Sequence, residues 1–405
     1  MNQLNNLNIH SLEEIVSGFQ NGIGKGKSFY GSGVKVANIG DLYKTPTFSP
    51  IKYSLLECNQ KEIEKYRLNR GDLLFVRSSL KREGVAYCSA YESDETCLFS
   101  SFMIRVSSDQ SKVFSPFLSY QLRSPRGRAE LLARSNTSTI TNISQDGLKS
   151  VQVWLPPLET QRRIVGLLDR AQGLIDKRKK QITLMDTLTQ SLFYTMFGDP
   201  VTNPMGWGKS EFGNHIESIL GGTSVGGNVQ ELKNGEYAVL KISAVTSGAF
   251  LASEYKVVQE SDLPDEFIHP RMGDLLFSRA NTRELVGAVC IVDSDYTNLF
   301  LPDKLWKIKL RENSLTTYFV KFLLSHDGFR ESLRKVATGT SGSMLNISKA
   351  KLKKIIVLTP PLALQTQFAD RVQKIEAQKE AMTASLKELE NNFNSLMQRA
   401  FKGEL

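Results

Sequence analysis

The chain has 405 residues, of which 40% are hydrophobic, and its 51 lysines and arginines outnumber its 42 aspartates and glutamates to give a formal net charge of +9. This length predicts two domains rather than one, and the charge suits a polyanionic partner. Four cysteines without a CxxC pair and four scattered histidines argue against a disulfide framework or a structural zinc site.

The sequence contains no targeting or membrane segment that we can identify. Its first residues, MNQLNNLNIHSLEE, lack the basic-then-apolar pattern of a signal peptide, and no run of 18 apolar residues occurs. We therefore expect a soluble, cytoplasmic protein with no membrane partner.

Residues 1–157 predict a globular domain of mixed α/β structure. Short runs rich in β-forming residues, separated by Gly, Ser and Asn, predict strands at residues 34–39, 72–77, 84–88, 102–106 and 151–155. Two short helices are predicted at residues 116–123 and 126–134.

A glycine-rich loop in this domain, NGIGKGKS at residues 21–28, is a near match to a phosphate-binding loop. That motif needs glycine at its first position, where this chain has Asn21. No strongly apolar strand leads into the loop, and no apolar run ending in Asp offers a magnesium ligand. We interpret the segment as a flexible basic loop that touches phosphates, not as a site of nucleotide hydrolysis.

Residues 158–198 predict one long helix with an apolar seam. Pro156 and Pro157 cannot lie inside a helix and mark its start, while Gly198 and Pro200 mark its end. About 38 residues at roughly 1.5 Å each make a rod of about 57 Å. Its side chains form a heptad pattern, alternately four and three positions apart. The seam positions are Ile164, Leu168, Ala171, Ile175, Arg178, Ile182, Met185, Thr189, Leu192 and Met196.

Residues 199–361 repeat the first domain, and residues 362–405 repeat the helix. The segment that starts at Asn142 matches the one that starts at Asn346, 204 positions later, with no insertion over more than fifty residues. The run RGDLLFVR, residues 70–77, likewise matches RMGDLLFSR, residues 271–279. The second seam comprises Phe368, Val372, Ile375, Lys379, Met382, Leu386, Leu389, Phe393, Leu396 and Ala400.

The duplication predicts an α+β fold of two globular mixed α/β domains separated by two long helices, with an internal pseudo-two-fold relation. We expect the helices to form an antiparallel coiled coil, because a whole domain separates them in the chain. The alternative is two unrelated helices, each packed on its own domain. The two globular domains diverge in segments such as residues 44–68 and 250–270, as two readers of different targets would.

No catalytic motif is found in the sequence. Adenine methyl transfer would need Asn/Asp-Pro-Pro-Tyr/Phe, but the two Pro-Pro pairs follow Leu155 and Thr359 and precede leucine. Nuclease chemistry would need clustered carboxylates with a lysine, and the sequence has no such cluster. Nucleophile-elbow and zinc-protease motifs do not occur either.

Basic and amide-bearing residues recur on corresponding loops of both domains, and such side chains reach the phosphates and base edges of DNA. Each of them is also compatible with an ordinary surface or turn position. The candidate DNA-binding residues of the first domain are Lys25, Lys27, Tyr30, Arg77, Ser79, Lys81, Arg82, Arg126, Arg134, Asn136 and Thr137. Those of the second domain are Thr223, Asn228, Arg279, Asn281, Thr282, Arg283, Thr340 and Ser341.

The duplicated segment NIS…L…PPL…Q…I, the repeated GDLLF strand and the terminal FKGEL resemble the DNA specificity subunit of type I restriction-modification systems. The resemblance spans nearly the whole chain and follows its duplication. It implies two target-recognition domains, residues 1–157 and 199–361, each reading one half of a bipartite double-stranded DNA site. Two antiparallel spacer helices, residues 158–198 and 362–405, would hold these domains apart.

The same resemblance implies partners and cofactors. Such a subunit is not itself an enzyme and binds no cofactor or metal. Two modification subunits dock on the helices and use S-adenosylmethionine to methylate adenine, and two restriction subunits use ATP and magnesium for translocation and cleavage. The predicted rod is longer than one duplex turn of roughly 34–36 Å, so we expect unread bases between the half-sites, and their number should follow the helix length.

Two other functions stay open from the residues alone. A scaffold whose duplicated domains bind proteins would lack the steep salt dependence of phosphate contacts. A diverged methyltransferase or nuclease, active alone, would turn over with a methyl donor or with magnesium. The recognised DNA sequence does not follow from the chain, because its loops carry no residue-to-base code.

Overall fold

The computed structural model describes residues 8–49, 54–137, 139–339 and 344–405. The chain divides into two compact units. Unit 1 comprises the described residues up to Lys179 together with Ala384–Leu405, and unit 2 comprises Lys180–Thr383. Each unit therefore contains one globular domain and one part of each long helix. The predicted division of the chain into four segments stays a prediction.

Unit 1 is mixed α/β, as predicted. Its strands are β1 Ile9–Ser11, β2 Val16–Asn21, β3 Tyr30–Ala37, β4 Thr47–Phe48, β5 Ser54–Leu56, β6 Leu73–Val76, β7 Ser78–Ser79, β8 Cys88–Tyr91, β9 Cys97–Phe99, β10 Met103–Ser108, β11 Asn136–Thr137, β12 Thr141–Asn142 and β13 Gln152–Trp154. Its helices are α1 Leu12–Ile15, α2 Ile39–Lys44, α3 Gln60–Tyr66, α4 Ser115–Arg123, α5 Pro125–Ala133, α6 Gln145–Lys149 and the first part of α7 Leu158–Phe197.

The main sheet of unit 1 has five strands in the order β2-β10-β6-β8-β4. Strand β10 is antiparallel to both β2 and β6, and β6 is antiparallel to β8. Two three-stranded sheets, β5-β3-β9 and β11-β12-β7, and the pair β1-β13 accompany it. Alternate residues of β6 enter different clusters: Leu73 and Phe75 join one core, and Leu74 and Val76 join another. Because a buried cluster covers each face of β6, all four residues of this strand are apolar.

Unit 2 repeats this plan. Its strands are β14 Gly208–Glu211, β15 Ile216–Gly221, β16 Tyr237–Leu240, β17 Tyr255–Val258, β18 Leu275–Ser278, β19 Ala280–Asn281, β20 Val289–Ile291, β21 Leu299–Phe300, β22 Leu305–Leu310, β23 Leu345–Asn346 and β24 Ile356–Thr359. Its further helices are α8 Ser243–Thr246, α9 Thr317–Ser325, α10 Asp327–Val336, α11 Lys349–Lys353 and part of α12 Leu362–Ala400. The main sheet has the order β15-β22-β18-β20, beside the sheet β17-β16-β21 and the pairs β19-β23 and β14-β24.

The repeated Gly-Asp-Leu-Leu-Phe motif has one structural explanation in both units. Gly71 and Gly273 have φ of 90° and 83°, a left-handed backbone that favours glycine. The carboxylate of Asp72 accepts a hydrogen bond from the Asn69 N–H at 2.8 Å, and that of Asp274 accepts one from the Arg271 N–H at 2.8 Å. The motif therefore closes a turn before the buried strand begins.

In unit 1, the start of α7 packs against the end of α12. Ile164, Leu168, Met397 and Phe401 share one buried cluster, and Lys179 forms an ion pair with Glu390 at 2.8 Å. Residue numbers rise along one helix segment as they fall along the other, so the two segments are antiparallel. Phe401 also contacts Phe117 of α4, with ring centroids 5.5 Å apart.

In unit 2, the end of α7 packs against the start of α12. Phe197 lies 5.3 Å from Phe368 and 4.8 Å from Phe319 of α9, measured between ring centroids. Lys379 binds Asp186 across the helices. No predicted seam position on α7 or α12 is exposed, which confirms the antiparallel coiled coil and the α+β fold with two mixed domains.

The strand predicted at residues 84–88 is wrong. Residues Arg82–Gly84 form a 3₁₀ turn, and Ala86 has φ of 55°, which breaks the extended backbone, so the strand starts only at Cys88. The other four strands and both short helices predicted in this domain are confirmed with small shifts of their ends. Helix α7 ends at Phe197 as predicted, because Gly198 has φ of 74°. Among the described residues, no helix has the length and apolarity needed to cross a bilayer.

Candidate nucleic-acid interface

Most of the predicted residues of unit 1 lie in loops at one end of the strands of its main sheet. Asn21 at the end of β2 pairs with Ile104 near the start of β10, and Val76 at the end of β6 pairs with Met103. Phe75 pairs with Cys88 at the start of β8. The chain therefore leaves or enters the sheet at this end of the strands through three loops, at residues 22–30, 77–87 and 100–102. We name these three loops together the first loop edge.

The small sheet β11-β12-β7 extends the first loop edge. Ser79 of β7 pairs with Thr141, which pairs with Thr137 of β11. The Ser78 hydroxyl donates to the Asn142 amide oxygen at 2.5 Å. The structure thus brings together the predicted residues Ser79, Asn136 and Thr137, which are separated in sequence.

Unit 2 has an equivalent second loop edge, at residues 222–223, 279–287 and 301–304. Asn281 of β19 pairs with Leu345 of β23, and Thr338 pairs with Asn346. The Ile347 N–H donates to the Arg279 carbonyl at 2.8 Å, as the Ile143 N–H donates to the Arg77 carbonyl at 3.0 Å. Arg279, Asn281, Thr282 and Arg283 lie on this edge, as does Thr223. Thr340 and Ser341 fall outside the described residues.

Three basic side chains of the first loop edge are exposed and are not held by another side chain among the described residues; we call such side chains uncommitted. Lys27, Lys81 and Arg82 have no hydrogen-bonded or ionic side-chain partner within the part of the chain that the structure describes. Tyr30 is also exposed. Arg283 plays the corresponding part in unit 2, although its guanidinium approaches Glu331 at 4.0 Å.

Other predicted basic residues are held by the protein itself. Lys25 donates to the Glu62 carboxylate at 2.7 Å and to the Glu57 carbonyl at 2.8 Å. The hydrogen bond to Glu62 raises the pKa of Lys25. Arg134 forms an ion pair with Glu130 at 2.8 Å and donates to Ser150. These contacts hold both side chains within unit 1.

The two strand-ending arginines occupy equivalent places but differ in their partners. Arg279 forms an ion pair with Asp303 at 2.9 Å and donates to the Asn346 amide oxygen at 3.3 Å. The Arg77 guanidinium donates only to the Ser101 carbonyl, at 3.5 Å, among the described residues. The charge of Arg77 is therefore the more available of the two.

Two predicted residues lie apart from the loop edges. Arg126 lines a cavity of about 220 Å³ with Ile9, Trp154 and Phe401, beside the pair β1-β13. Asn228 pairs through its backbone with Val257 of β17, at 2.9 Å in both directions, and lines a separate cavity of about 440 Å³. The structure does not bring either residue to the predicted cluster.

Sequence reasoning missed the apolar part of the first loop edge. Leu80 is 84% exposed and Phe102 is 57% exposed. Leu80 is a single apolar residue among polar neighbours, whereas Phe102 precedes the apolar Met103 and Ile104 in a predicted strand, so periodicity indicates an exposed binding position for neither. Arg123 and Arg128, which flank the predicted Arg126 in the sequence, stack on Tyr87 at 4.8 and 4.5 Å and donate to backbone carbonyls, so their charges are held within unit 1.

Metal-ligating side chains are not clustered in the described residues, and the buried thiols there are not ionised. No group of three or more His, Cys, Asp or Glu side chains there is placed to hold a metal ion. Burial raises the pKa of Cys88 to about 11 and those of Cys97 and Cys290 to about 12, so these thiols are protonated at neutral pH. The arrangement offers hydrogen-bond donors, positive charge and exposed apolar side chains.

Curated relatives of the chain are specificity subunits. It is 24% identical over 362 residues to the type I restriction enzyme EcoKI specificity subunit of Escherichia coli strain K12, a match that covers 84% of this chain and 76% of that one. It is 23% identical over 364 residues to the putative type I restriction enzyme MjaX specificity subunit of Methanocaldococcus jannaschii, covering 86% and 82%.

Solved structures share the fold. The S subunit of a type I restriction-modification system from M. genitalium superposes with a TM-score of 0.57 at 13% identity, over 98% of this chain and 97% of that one. A chain from a structure of complex assembly and conformational transition of the type I R-M system gives 0.60 at 17% identity, over 98% of each chain.

The family model for the type I restriction modification DNA specificity domain matches twice, at residues 11–184 and 204–391. These two matches cover most of the chain and follow its duplication, as the resemblance in the sequence implied. The chain therefore belongs to the DNA specificity subunits of type I restriction-modification systems, and it carries two DNA specificity domains.

Proposed function

We propose that each loop edge reads one half of a bipartite double-stranded DNA site, and that the chain directs adenine methylation and DNA cleavage by partner subunits. The observation that carries the proposal is the equivalence of the two edges. The same strand ends and the same small β-pairings recur in both units. The side chains on them differ, with Ser101 in one unit where Asp303 stands in the other.

Different side chains on one scaffold suit two different half-sites. Exposed Lys27, Lys81 and Arg82 supply positive charge for phosphates in unit 1. Asn136 and Thr137 supply the amide and hydroxyl that hydrogen-bond to base edges. Unit 2 offers Arg283 and Asn281 at its own edge.

In this proposal the chain contributes recognition and no chemistry. S-adenosylmethionine, ATP and magnesium belong to the partners, which are two modification subunits and two restriction subunits. The helices would hold the modification subunits, because Leu184 and Leu188, one turn apart on α7, expose adjacent apolar side chains, and contiguous exposed apolar surface marks protein interfaces.

The test is single-molecule methylation sequencing of DNA from cells that carry this chain with its modification subunit. A methylated bipartite motif should appear, and it should vanish in cells that lack only this chain. Exchange of residues 199–361 for the second domain of a related subunit should change one half of the motif and leave the other. Methylation that is independent of the chain, or a change in both halves, would contradict the proposal.

A further inference from the structure

Two apolar side chains project from the end of the small sheet in unit 1. Ser79 pairs with Thr141 in antiparallel register, so Leu80 and Ile140 follow at the same end of β7 and β12. Leu80 is 84% exposed and Ile140 is 41% exposed. We name these two residues the apolar tip.

The apolar tip lies within the basic first loop edge. Lys81 and Arg82 follow Leu80 directly and are exposed. No other large hydrophobic residue among the described residues is as exposed as Leu80. A side chain that buries so little within its own chain adds little to folding, so its contribution depends on what it contacts outside the protein.

The same place in unit 2 holds a related pair with different chemistry. Asn281 pairs with Leu345, so Thr282 and Met344 follow at the end of β19 and β23. Met344 is 41% exposed. The tip thus recurs in both units with an apolar residue on one strand, whereas the other strand carries leucine in unit 1 and threonine in unit 2.

We propose that Leu80 and Ile140 contact the 5-methyl group of a thymine in the major groove of the half-site that unit 1 reads. This inference rests on the proposed function and names a base-reading element within it. The thymine methyl is the apolar group on the major-groove edges of the base pairs, whereas phosphates and the other edges are polar. A narrow β-ribbon fits the major groove, which is about 12 Å wide.

An exposed leucine can also insert as a wedge between successive base pairs, as minor-groove binders that kink DNA do. A wedge would not respond to loss of the methyl group alone. Replacing thymine by uracil removes that methyl and leaves the hydrogen-bonding groups of the base unchanged, so this substitution separates the two uses.

The experiment uses the full chain assembled with its modification subunits. The DNA consists of duplexes that contain the motif identified by methylation sequencing. The half-site read by unit 1 is the one that stays unchanged when residues 199–361 are exchanged. Each thymine of that half-site is replaced by uracil in turn, and the Kd is measured at fixed salt. At one thymine we expect the wild type to bind about four-fold more weakly to uracil, as for one buried methyl group.

Variants then assign the effect to the apolar tip. Leu80→Ala should bind the thymine and uracil duplexes within about 1.5-fold of each other, and Ile140→Ala should reduce the ratio as well. The matched control is Ile9→Ala, since Ile9 is 39% exposed on β1 and lies beside the cavity of Arg126; this variant should keep the wild-type ratio.

Three results would overturn the inference. They are equal binding to thymine and uracil at every position, a half-site without any thymine, and full discrimination retained by both tip variants. If the assembled chain shows no sequence-specific binding at all, the proposed function itself fails and this inference fails with it. Leu80→Ala removes an exposed side chain, so we expect its melting temperature to equal that of the wild type. A loss of discrimination counts in favour of the inference only when the two melting temperatures are equal.

Discussion

At the scale of single residues, ion pairing divides the basic side chains of the loop edges into two groups. Lys25 and Arg279 are bound by Glu62 and Asp303. Lys81 and Arg82 are exposed and uncommitted within the described part of the chain. A lysine that must first leave a carboxylate gains less from a phosphate than a solvated one does, so the second group should carry most of the electrostatic binding.

Removing two of the three uncommitted charges, those of Lys81 and Arg82, should therefore flatten the salt dependence of DNA binding. For Lys81→Gln with Arg82→Gln, we expect the slope of log K against log salt to fall in magnitude by about 0.9 for each phosphate that these two side chains neutralise in the wild type. The affinity should weaken uniformly across DNA sequences. The measurement is a fluorescence-anisotropy titration of the assembled complex between roughly 50 and 200 mM salt.

Lys112→Gln is the matched control for this charge change. Lys112 is exposed and follows β10, so it lies at the opposite edge of the main sheet from the first loop edge. Its substitution should leave the slope unchanged. Because Lys112→Gln removes one charge and the double variant removes two, a fall for Lys112→Gln half as large as that of the double variant would mean that the substitutions act through the net charge of the protein and not at the first loop edge.

At the scale of elements, one buried glutamine fixes the start of each long helix. The Gln161 amide accepts from the Phe114 N–H at 2.8 Å and donates to the Lys112 and Pro156 carbonyls at 2.9 and 2.7 Å. Gln365 accepts from the Thr316 N–H at 2.9 Å and donates to the Pro360 carbonyl at 2.8 Å. Both side chains are fully buried.

Replacing Gln161 with leucine should loosen the joint between α7 and its domain. The substitution leaves one buried and two part-buried backbone groups without their side-chain partner, and an unpaired buried group costs about 1–3 kcal/mol, less where water can replace the partner. Hydrogen exchange measured by mass spectrometry should quicken in residues 112–123. Gln365→Leu should do the same in residues 316–325.

Gln172→Leu is the control on the same helix, because within the described ranges the side-chain amide of Gln172 bonds only Asp176, one turn away. We expect it to change the free energy of unfolding by less than about 0.5 kcal/mol. Slow, wild-type exchange of residues 112–123 in Gln161→Leu would show that the glutamine does not hold the joint.

Elements with a strong local pattern were predictable from the sequence. The heptad spacing of α7 and α12 fixes their apolar faces, and the Gly-Asp pair fixes the turn before β6 and β18. The strand predicted at residues 84–88 failed because Ala86 adopts a left-handed backbone, which alanine does not signal.

The site was predictable only in part, because its decisive contacts join distant residues. Arg279 and Asp303 are 24 positions apart, and Lys25 and Glu62 are 37 apart. No local pattern distinguishes these paired residues from the uncommitted Lys81 and Arg82. Arg126 was likewise predicted to bind DNA because of its charge, but it lies on another face of unit 1.

At the scale of the whole molecule, helix length is the quantity that would set the gap between half-sites. Helices α7 and α12 have 40 and 39 residues, or about 60 Å each. Lys379 binds Asp186, and counting equal numbers of residues along the two antiparallel helices from that pair matches residues 175–181 with 384–390. Removing both segments shortens the helices by one heptad each while preserving the order of the seam.

We expect this double deletion to shorten the unread gap by about three base pairs, because seven residues span about 10 Å and one base pair about 3.4 Å. Deleting residues 175–181 alone should abolish site-specific methylation, since α7 then no longer matches α12. Methylation sequencing reads both outcomes directly. Lys177→Gln with Lys387→Gln alters exposed residues of the same segments at constant length and should keep the wild-type gap. A double deletion that methylates the original motif would show that helix length does not measure the gap.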